Sequence, residues 1–206
     1  MKSKNFFLDF VKTKNQLNYL VPENTKLVLH VLDILNMNTE NKIYVKLKKG
    51  SQVKVILSSF AKPKLSKSFF FNFEHLEDDA QSFFNSYLMA SHLASINVKI
   101  VSNIKPGTTN NQTSQEIKGI LLSNSSTIHG EPQLIIDDNN VKAKHAMAVG
   151  QIDPKQIFYL MSRGIKKSEA IRLILMGFFN TTLQIIEDDK LKSNYFKKIL
   201  NLFKDK

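Results

Sequence analysis

The chain has 206 residues, 42% of them apolar, a formal net charge of +11 and no cysteine. That apolar share excludes wholesale disorder, and no run approaches the roughly 20 consecutive apolar residues of a membrane-spanning helix. Without cysteine there is no disulfide, no thiolate-held metal and no thiol nucleophile. The charge raises nucleic acid as a partner. Its make-up argues against that, because of 29 basic residues only Arg163 and Arg172 are arginines, the side chain best shaped to fork onto bases and phosphates. The lysines are scattered, with short runs such as Lys46-Leu47-Lys48-Lys49, so a solvated surface is expected.

Met1-Lys2-Ser3-Lys4-Asn5-Phe6 carries neither the apolar run nor the small-residue cleavage site of a secretory signal, so a cytoplasmic location is expected. Phe6, Phe7, Phe10, Leu17 and Leu20, with Val11 and Lys14 on nearby faces, approximate helical spacing. They predict a short N-terminal helix ending at Pro22. From Lys26 to Leu35 the chain is nearly continuously apolar and rich in β-branched residues. Ile43, Val45 and Leu47 alternate with polar neighbours, as do Val53, Val55 and Leu57 after Gly50-Ser51. Phe69, Phe71 and Phe73 repeat the pattern, then Val98 and Ile100. Each such strand has one side in a core and one in water. Leu76–Ala94 fits helix or strand. Few tight hairpin signals disfavour a meander, leaving a sandwich or a stacked β-solenoid, and no clean internal repeat separates the two.

Beyond Ile152 the pattern becomes helical. Asp153 suits an N-cap, Pro154 the first helical position, Gln156 a capping-box partner and Gly164 a C-terminal stop. A second helix carries Ile171, Ile174, Leu175, Phe178, Leu183 and Ile186. A third carries Tyr195, Phe196, Ile199, Leu200 and Phe203. The expected organisation is an N-terminal helical segment over 1–22, a β-helix core over 23–152 and a helical domain over 153–206.

The tract Ile136-Asp137-Asp138-Asn139-Asn140-Val141-Lys142-Ala143-Lys144-His145-Ala146-Met147-Ala148-Val149-Gly150-Gln151-Ile152-Asp153 resembles the signature of the SufB/SufD family. There a strand ending in two aspartates leads to Val-Lys-Cys-Ser-His-Gly and then Val-Gly-Gln-Leu-Asp. The sequel Gln156-Ile157-Phe158-Tyr159-Leu160-Met161-Ser162-Arg163-Gly164-Ile165 is similar to the family's first C-terminal helix, and Glu169-Ala170 and Gly177-Phe178 continue in step. Pro106, Thr108, Thr109, Lys118-Gly119-Ile120-Leu121, Leu121-Leu122-Ser123 and Pro132-Gln133-Leu134 match its last β-helix turns. The likeness spans about residues 104–186, and the Gly150-Gln151-Ile152-Asp153 form is the SufD-like one.

The resemblance implies a right-handed parallel β-helix closed by a C-terminal helical domain, in a short, divergent member lacking most of the N-terminal helical region and some turns. It implies a non-catalytic scaffold for iron–sulfur cluster assembly. Its partners would be a SufC-like ABC ATPase, held by the helical domain, and a SufB-like paralogue or a second copy, met through the β-helix. No nucleic acid or membrane partner is expected. No cofactor is held stably, and a transient cluster is shared with a partner subunit. His145 aligns with the family histidine near the nascent cluster, where an imidazole nitrogen can ligate iron. The sequence departs from the family at Ala143, where a cysteine is usual, and at Ala146, where a glycine is usual, so any thiolate comes from a partner chain.

Phe158, Tyr159, Arg163, Ile171, Leu175 and Phe178 are the candidates for ATPase docking; packing of helix on helix is the alternative for each. Lys166 replaces the family's serine at the second helix start, so that cap is lost or shifted to Ser168. His30, His75, His92 and His129 lack metal-site spacing and read as ordinary surface or strand residues. Asp137-Asp138 reads as a strand end. No Gly-rich phosphate loop, no Ser/His/Asp set and no paired carboxylates at catalytic spacing on the predicted helices are found, so no enzyme is expected. The rival readings are an ATPase-binding adaptor with no cluster role and a basic nucleic-acid-binding module.

Overall fold

Alternating apolar residues and left-handed corner residues shape the first 150 positions of the chain. In a computed structural model, which describes residues 2–9, 13–137, 139–184 and 189–202, these positions form eleven strands. They are β1 (Lys2–Asp9), β2 (Lys14–Val21), β3 (Thr25–Asp33), β4 (Thr39–Leu47), β5 (Gln52–Ala61), β6 (Ser66–His75), β7 (Gln81–Ala90), β8 (Ser95–Ile104), β9 (Asn111–Leu121), β10 (Thr127–Ile136) and β11 (Val141–Gly150). Odd-numbered strands build a six-stranded sheet and even-numbered strands a five-stranded one. Pairings from β1 to β10 are parallel, so the chain winds as a β-helix, two strands per coil.

Lys2 lies beside Thr25, Lys26 beside Gln52, Gln52 beside Gln81 and Gln81 beside Gln112, so the coil lengthens from 23 to 26, 29 and 31 residues. A growing coil leaves no fixed sequence period. Asn24, Gly50, Asp79 and Asn110 occupy successive corners with φ of 52°, 60°, 60° and 56°, a conformation that Gly, Asn and Asp adopt at low cost. The Asn24, Gly50 and Asp79 N–H groups donate to the next coil's Lys49, Asp78 and Thr109 carbonyls, each at 3.0 Å. A Cβ on Gly50 would meet Asn24 Oδ1 at 2.5 Å, so this corner needs glycine for space as well.

Ile43, Val45, Leu47, Val53, Val55, Leu57, Phe69, Phe71, Phe73, Val98 and Ile100, the alternating residues of the sequence, all point into the β-helix interior and are buried. The Phe71 and Phe84 rings meet from opposite sheets at 4.8 Å. On β3 and β5 the other face is buried too, at Val28, Leu32, Ile56 and Phe60. This is the reason Lys26–Leu35 reads as a continuous apolar run.

The expected N-terminal helix is absent: residues 2–9 and 14–21 are strands. Leu17, Tyr19 and Val21 pack inward while Leu20 is exposed, a period of two. Parallel pairing of β1 with β3 satisfies backbone groups that a local helix would have satisfied internally, and tertiary context decides. Phe10 and Val11 lie outside the described residues. The ambiguous stretch Leu76–Ala94 contains β7, in which burial alternates at Ser82, Phe84, Ser86 and Leu88 before Met89 and Ala90 are both buried.

The chain divides into two units, Met1–Val149 and Gly150–Lys206. The second comprises α1 (Pro154–Ser162), α2 (Lys167–Leu183) and α3 (Asp189–Leu202), with α2 touching both others. Asp153 Oδ1 accepts the Lys155 N–H at 2.9 Å, and Pro154 starts the helix. Gly164, at φ 86°, donates to Met161 O at 2.9 Å and Ile165 to Leu160 O at 3.3 Å, a complete Schellman stop. In α2 the buried ridge is Leu175, Phe179 and Leu183, four apart, with Ile171, Ile174 and Phe178 half-buried beside it. In α3 Tyr195 and Ile199 are buried and Phe196 is exposed; Ile186 and Phe203 are outside the described residues.

Lys166 stands at the N-cap of α2 without a side-chain cap bond, and Ser168 already lies inside the helix, so the cap is lost rather than shifted. Lys166→Ser is expected to raise stability by about 1 kcal/mol, read as a later urea midpoint followed by far-UV circular dichroism.

Candidate functional site

His145 lies on β11, the last strand of the six-stranded sheet and the hydrogen-bonded neighbour of β9. Glycines opposite this strand set which way it faces. A Cβ built on Gly130 would sit 2.8 Å from Met147 Sδ, and one on Gly119 would sit 3.1 Å from Val149 Cγ2. Met147 and Val149 therefore point toward the β-helix interior, and Ala143 and His145 share their side by strand alternation. Among the described residues the five-stranded sheet stops at β10, and no further strand lies across from this side of β11. His145, Ala143 and Met147 are accordingly exposed.

Among the described residues no group of three or more His, Asp or Glu side chains could hold a metal ion. One imidazole in a chain without cysteine does not supply the ligand set of an iron–sulfur cluster. Asp137 follows the end of β10, and Asp138 lies outside the described residues. His92 Nδ1 lies 2.9 Å from Ser125 Oγ at a corner, and His129 is exposed on β10. His30 and His75 are buried strand residues, not surface ones.

The helical candidates divide by exposure. No residue of α1 is buried; Phe158 is 72% and Tyr159 57% exposed. Arg163, one turn on, stacks its guanidinium 5.3 Å from the Tyr159 ring centre, and its Nη2 donates to Tyr159 Oη at 3.3 Å. Tyr159 and Arg163 thus form an exposed aromatic–cation pair at the end of α1, with Phe158 exposed next to Tyr159 in the chain. Ile171 and Phe178 are half-buried on α2. Leu175 is 1% exposed, so it supports α2 from within and cannot itself meet another chain.

Two buried polar clusters escaped the sequence reading. Inside the later coils, His75 Nδ1 lies 3.2 Å from Asn111 Oδ1 and His75 Nε2 lies 2.8 Å from Ser82 Oγ. Hydrogen bonds continue from Ser82 to Thr113 at 2.9 Å, then to Ser102 and Gln115 at 2.8 Å each. Burial pushes the His75 pKa down to about 4, against the smaller opposing effect of its hydrogen bonds to Asn111 and to the Ala80 backbone. In the earlier coils Lys67 and Asp33, both fully buried, form an ion pair. Thr39 Oγ1 and Asn41 Nδ2 donate to Asp33 Oδ2 at 2.5 and 3.2 Å, and the Leu35 N–H to Oδ1 at 3.3 Å. The only signal for either cluster is a polar residue at an inward position, such as Lys67 two before Phe69.

Comparison with known proteins joins these observations. Residues 11–178 match the family described as SUF system FeS cluster assembly, SufBD core domain. The chain is 35% identical over 115 residues to the iron–sulfur cluster assembly protein SufD of Bacillus subtilis, covering 56% of this chain and 23% of that protein. It is 35% identical over 80 residues to SufD of Escherichia coli, covering 39% of this chain and 19% of that one. An iron–sulfur cluster assembly SufBD family protein of Archaeoglobus fulgidus is 42% identical over 69 residues, or 34% of this chain and 19% of the relative. The chain thus matches a quarter or less of these relatives' lengths. With a parallel β-helix leading into three helices and a family match over most of its length, this chain belongs to the SufB/SufD family of iron–sulfur cluster assembly proteins.

Proposed function

We propose that the chain is a non-catalytic scaffold subunit of a SUF-type assembly complex that docks a SufC-like ABC ATPase through its C-terminal helices. The observation that carries this reading is α1, which buries none of its residues and keeps Phe158 and Tyr159 in solvent beside Arg163. Aromatic and arginine side chains of this kind anchor protein interfaces, whereas an apolar stripe used for internal packing is buried. Ile171 and Phe178 border the surface and Leu175 supports it. The β-helix, wound in the right-handed sense that parallel crossovers favour, meets a SufB-like paralogue or a second copy. His145 then supplies an imidazole to a cluster assembled transiently as cargo, with thiolates from the partner.

Co-expression with a SufC ATPase followed by pull-down tests the docking. The parent chain should retain the ATPase; Phe158→Asp and the Tyr159→Ala/Arg163→Ala pair should weaken retention at least tenfold, each anchor being worth about 2 kcal/mol. A parent chain that retains none sinks the reading. The absence of cysteine favours a second reading, an adaptor without a cluster role. Equal iron and sulfide in complexes carrying His145 or His145→Ala would select it.

A further inference from the structure

Lys67 occupies an interior position of β6, two residues before Phe69 in the column continued by Phe71 and Phe73. Pairing of β4 with β6 places Thr39 directly beside it. Asp33, at the end of β3, points its carboxyl at the same spot, and neither side chain of the pair has any solvent exposure. Lys67 Nζ contacts Asp33 Oδ1 and lies 3.3 Å from the Asp33 main-chain oxygen. The carboxyl group's second oxygen is held by Thr39 Oγ1 and Asn41 Nδ2. An amine, a carboxyl and two donors on the oxygen that would carry negative charge during acyl transfer therefore meet in a site closed to water.

We propose that Lys67 and Asp33 are joined by an intramolecular amide bond, a covalent staple between successive coils. The ammonium first passes a proton to the carboxylate, giving a neutral amine and a carboxylic acid. On the Lys67 side burial disfavours the charged amine, against the opposing pull of Asp33. The Lys67 lone pair attacks Asp33 Cγ, and the charge that develops on Oδ2 falls on the Thr39 and Asn41 donors. The C–Oδ1 bond breaks as the nitrogen's second proton moves to that oxygen, and one water leaves. No oxidant, reductant or co-reactant is required.

Fixed proximity supplies an effective concentration that free reactants lack, and exclusion of water opposes the reverse hydrolysis. The product replaces two buried charges with a neutral amide. Its remaining N–H faces the Asp33 carbonyl, its own carbonyl keeps the Thr39 and Asn41 donors, and the Leu35 N–H gives up the Oδ1 acceptor that leaves as water. The chain has no cysteine, so a disulfide cannot serve this purpose.

The test is the intact mass of the purified, denatured chain, with tandem mass spectrometry of its peptides. The expected result is a mass lighter than the sequence by one water and a branched peptide joining the segments around Asp33 and Lys67. Lys67→Arg, which keeps the charge but not the nucleophile, should restore the full sequence mass. A parent chain at its full sequence mass overturns the proposal. So does a loss of water that maps elsewhere or survives in Lys67→Arg.

Discussion

Asp33→Ala is expected to lower the unfolding free energy by about 3–5 kcal/mol, because it removes one partner of a fully buried charge pair and strands the other. The variant also leaves the buried Thr39 hydroxyl and Asn41 amide without their acceptor. The direction is the same whether the site holds an ion pair or an amide, since the Lys67 amine is left buried in both cases. Glu40→Ala supplies the contrast. Glu40 lies 2.8 Å from Lys42, but both side chains are substantially exposed, and a solvent-screened pair of this kind adds little to stability. Urea unfolding of the two variants beside the parent chain checks the ordering. Equal losses would mean that Asp33 is far more hydrated in solution than its burial requires.

Acid is expected to destabilise the β-helix well before its carboxylates are protonated. Burial pushes the pKa of His75 down to about 4, and the His30 pKa also to about 4, the latter with added repulsion from Lys54. Neither His30 nitrogen has a hydrogen-bond partner among the described residues, whereas both His75 nitrogens do. In an unfolded chain each ring titrates near 6.5. Below that pH the unfolded state binds a proton that the folded state refuses, so stability is fully present above about 6.5 and falls as pH drops toward 4. His75 contributes up to about 3 kcal/mol to that loss and His30, the less deeply enclosed ring, a smaller share. Urea midpoints at several values between pH 7 and 4.5 should fall progressively, and His75→Gln should flatten the slope even though its own midpoint is lower. A flat profile through this window would show both rings to be accessible to protons in the folded state.

The strands that were legible share one property: their interior residues are apolar and alternate with polar neighbours, as at Ile43-Tyr44-Val45-Lys46-Leu47. Where both faces are buried, as on β3, the run still marked a strand but hid its inward side. The first twenty residues misled because a spacing of four, as from Phe6 to Phe10, satisfies a period of two as well as a helical one. A spacing of three, as from Leu17 to Leu20, puts the two residues on opposite faces of a strand, and only the partner strand decides between helix and strand. The solenoid itself was not legible as a repeat, since each coil adds residues to the one before.

Of the site residues, the sequence placed His145 within the family signature and Phe158, Tyr159 and Arg163 on one helix, because these relations are local. Asp153, Pro154 and Gly164 could likewise mark both ends of α1, since a helix cap involves only the neighbouring turn. Exposure could not be read. Leu175 and Phe158 are equally apolar, yet one is buried and the other is in solvent.

The sequence alone determined the change from strands to helices near Gly150, the family, and both ends of α1, all of which depend on residues close together along the chain. Only the tertiary structure decided that the N-terminus is strand, that β11 turns His145 to an uncovered side, and that Asp33 meets Lys67 across 34 positions of sequence. Parallel coils bring together residues some 23–32 positions apart, and no local pattern encodes which polar side chain will find which partner at that distance.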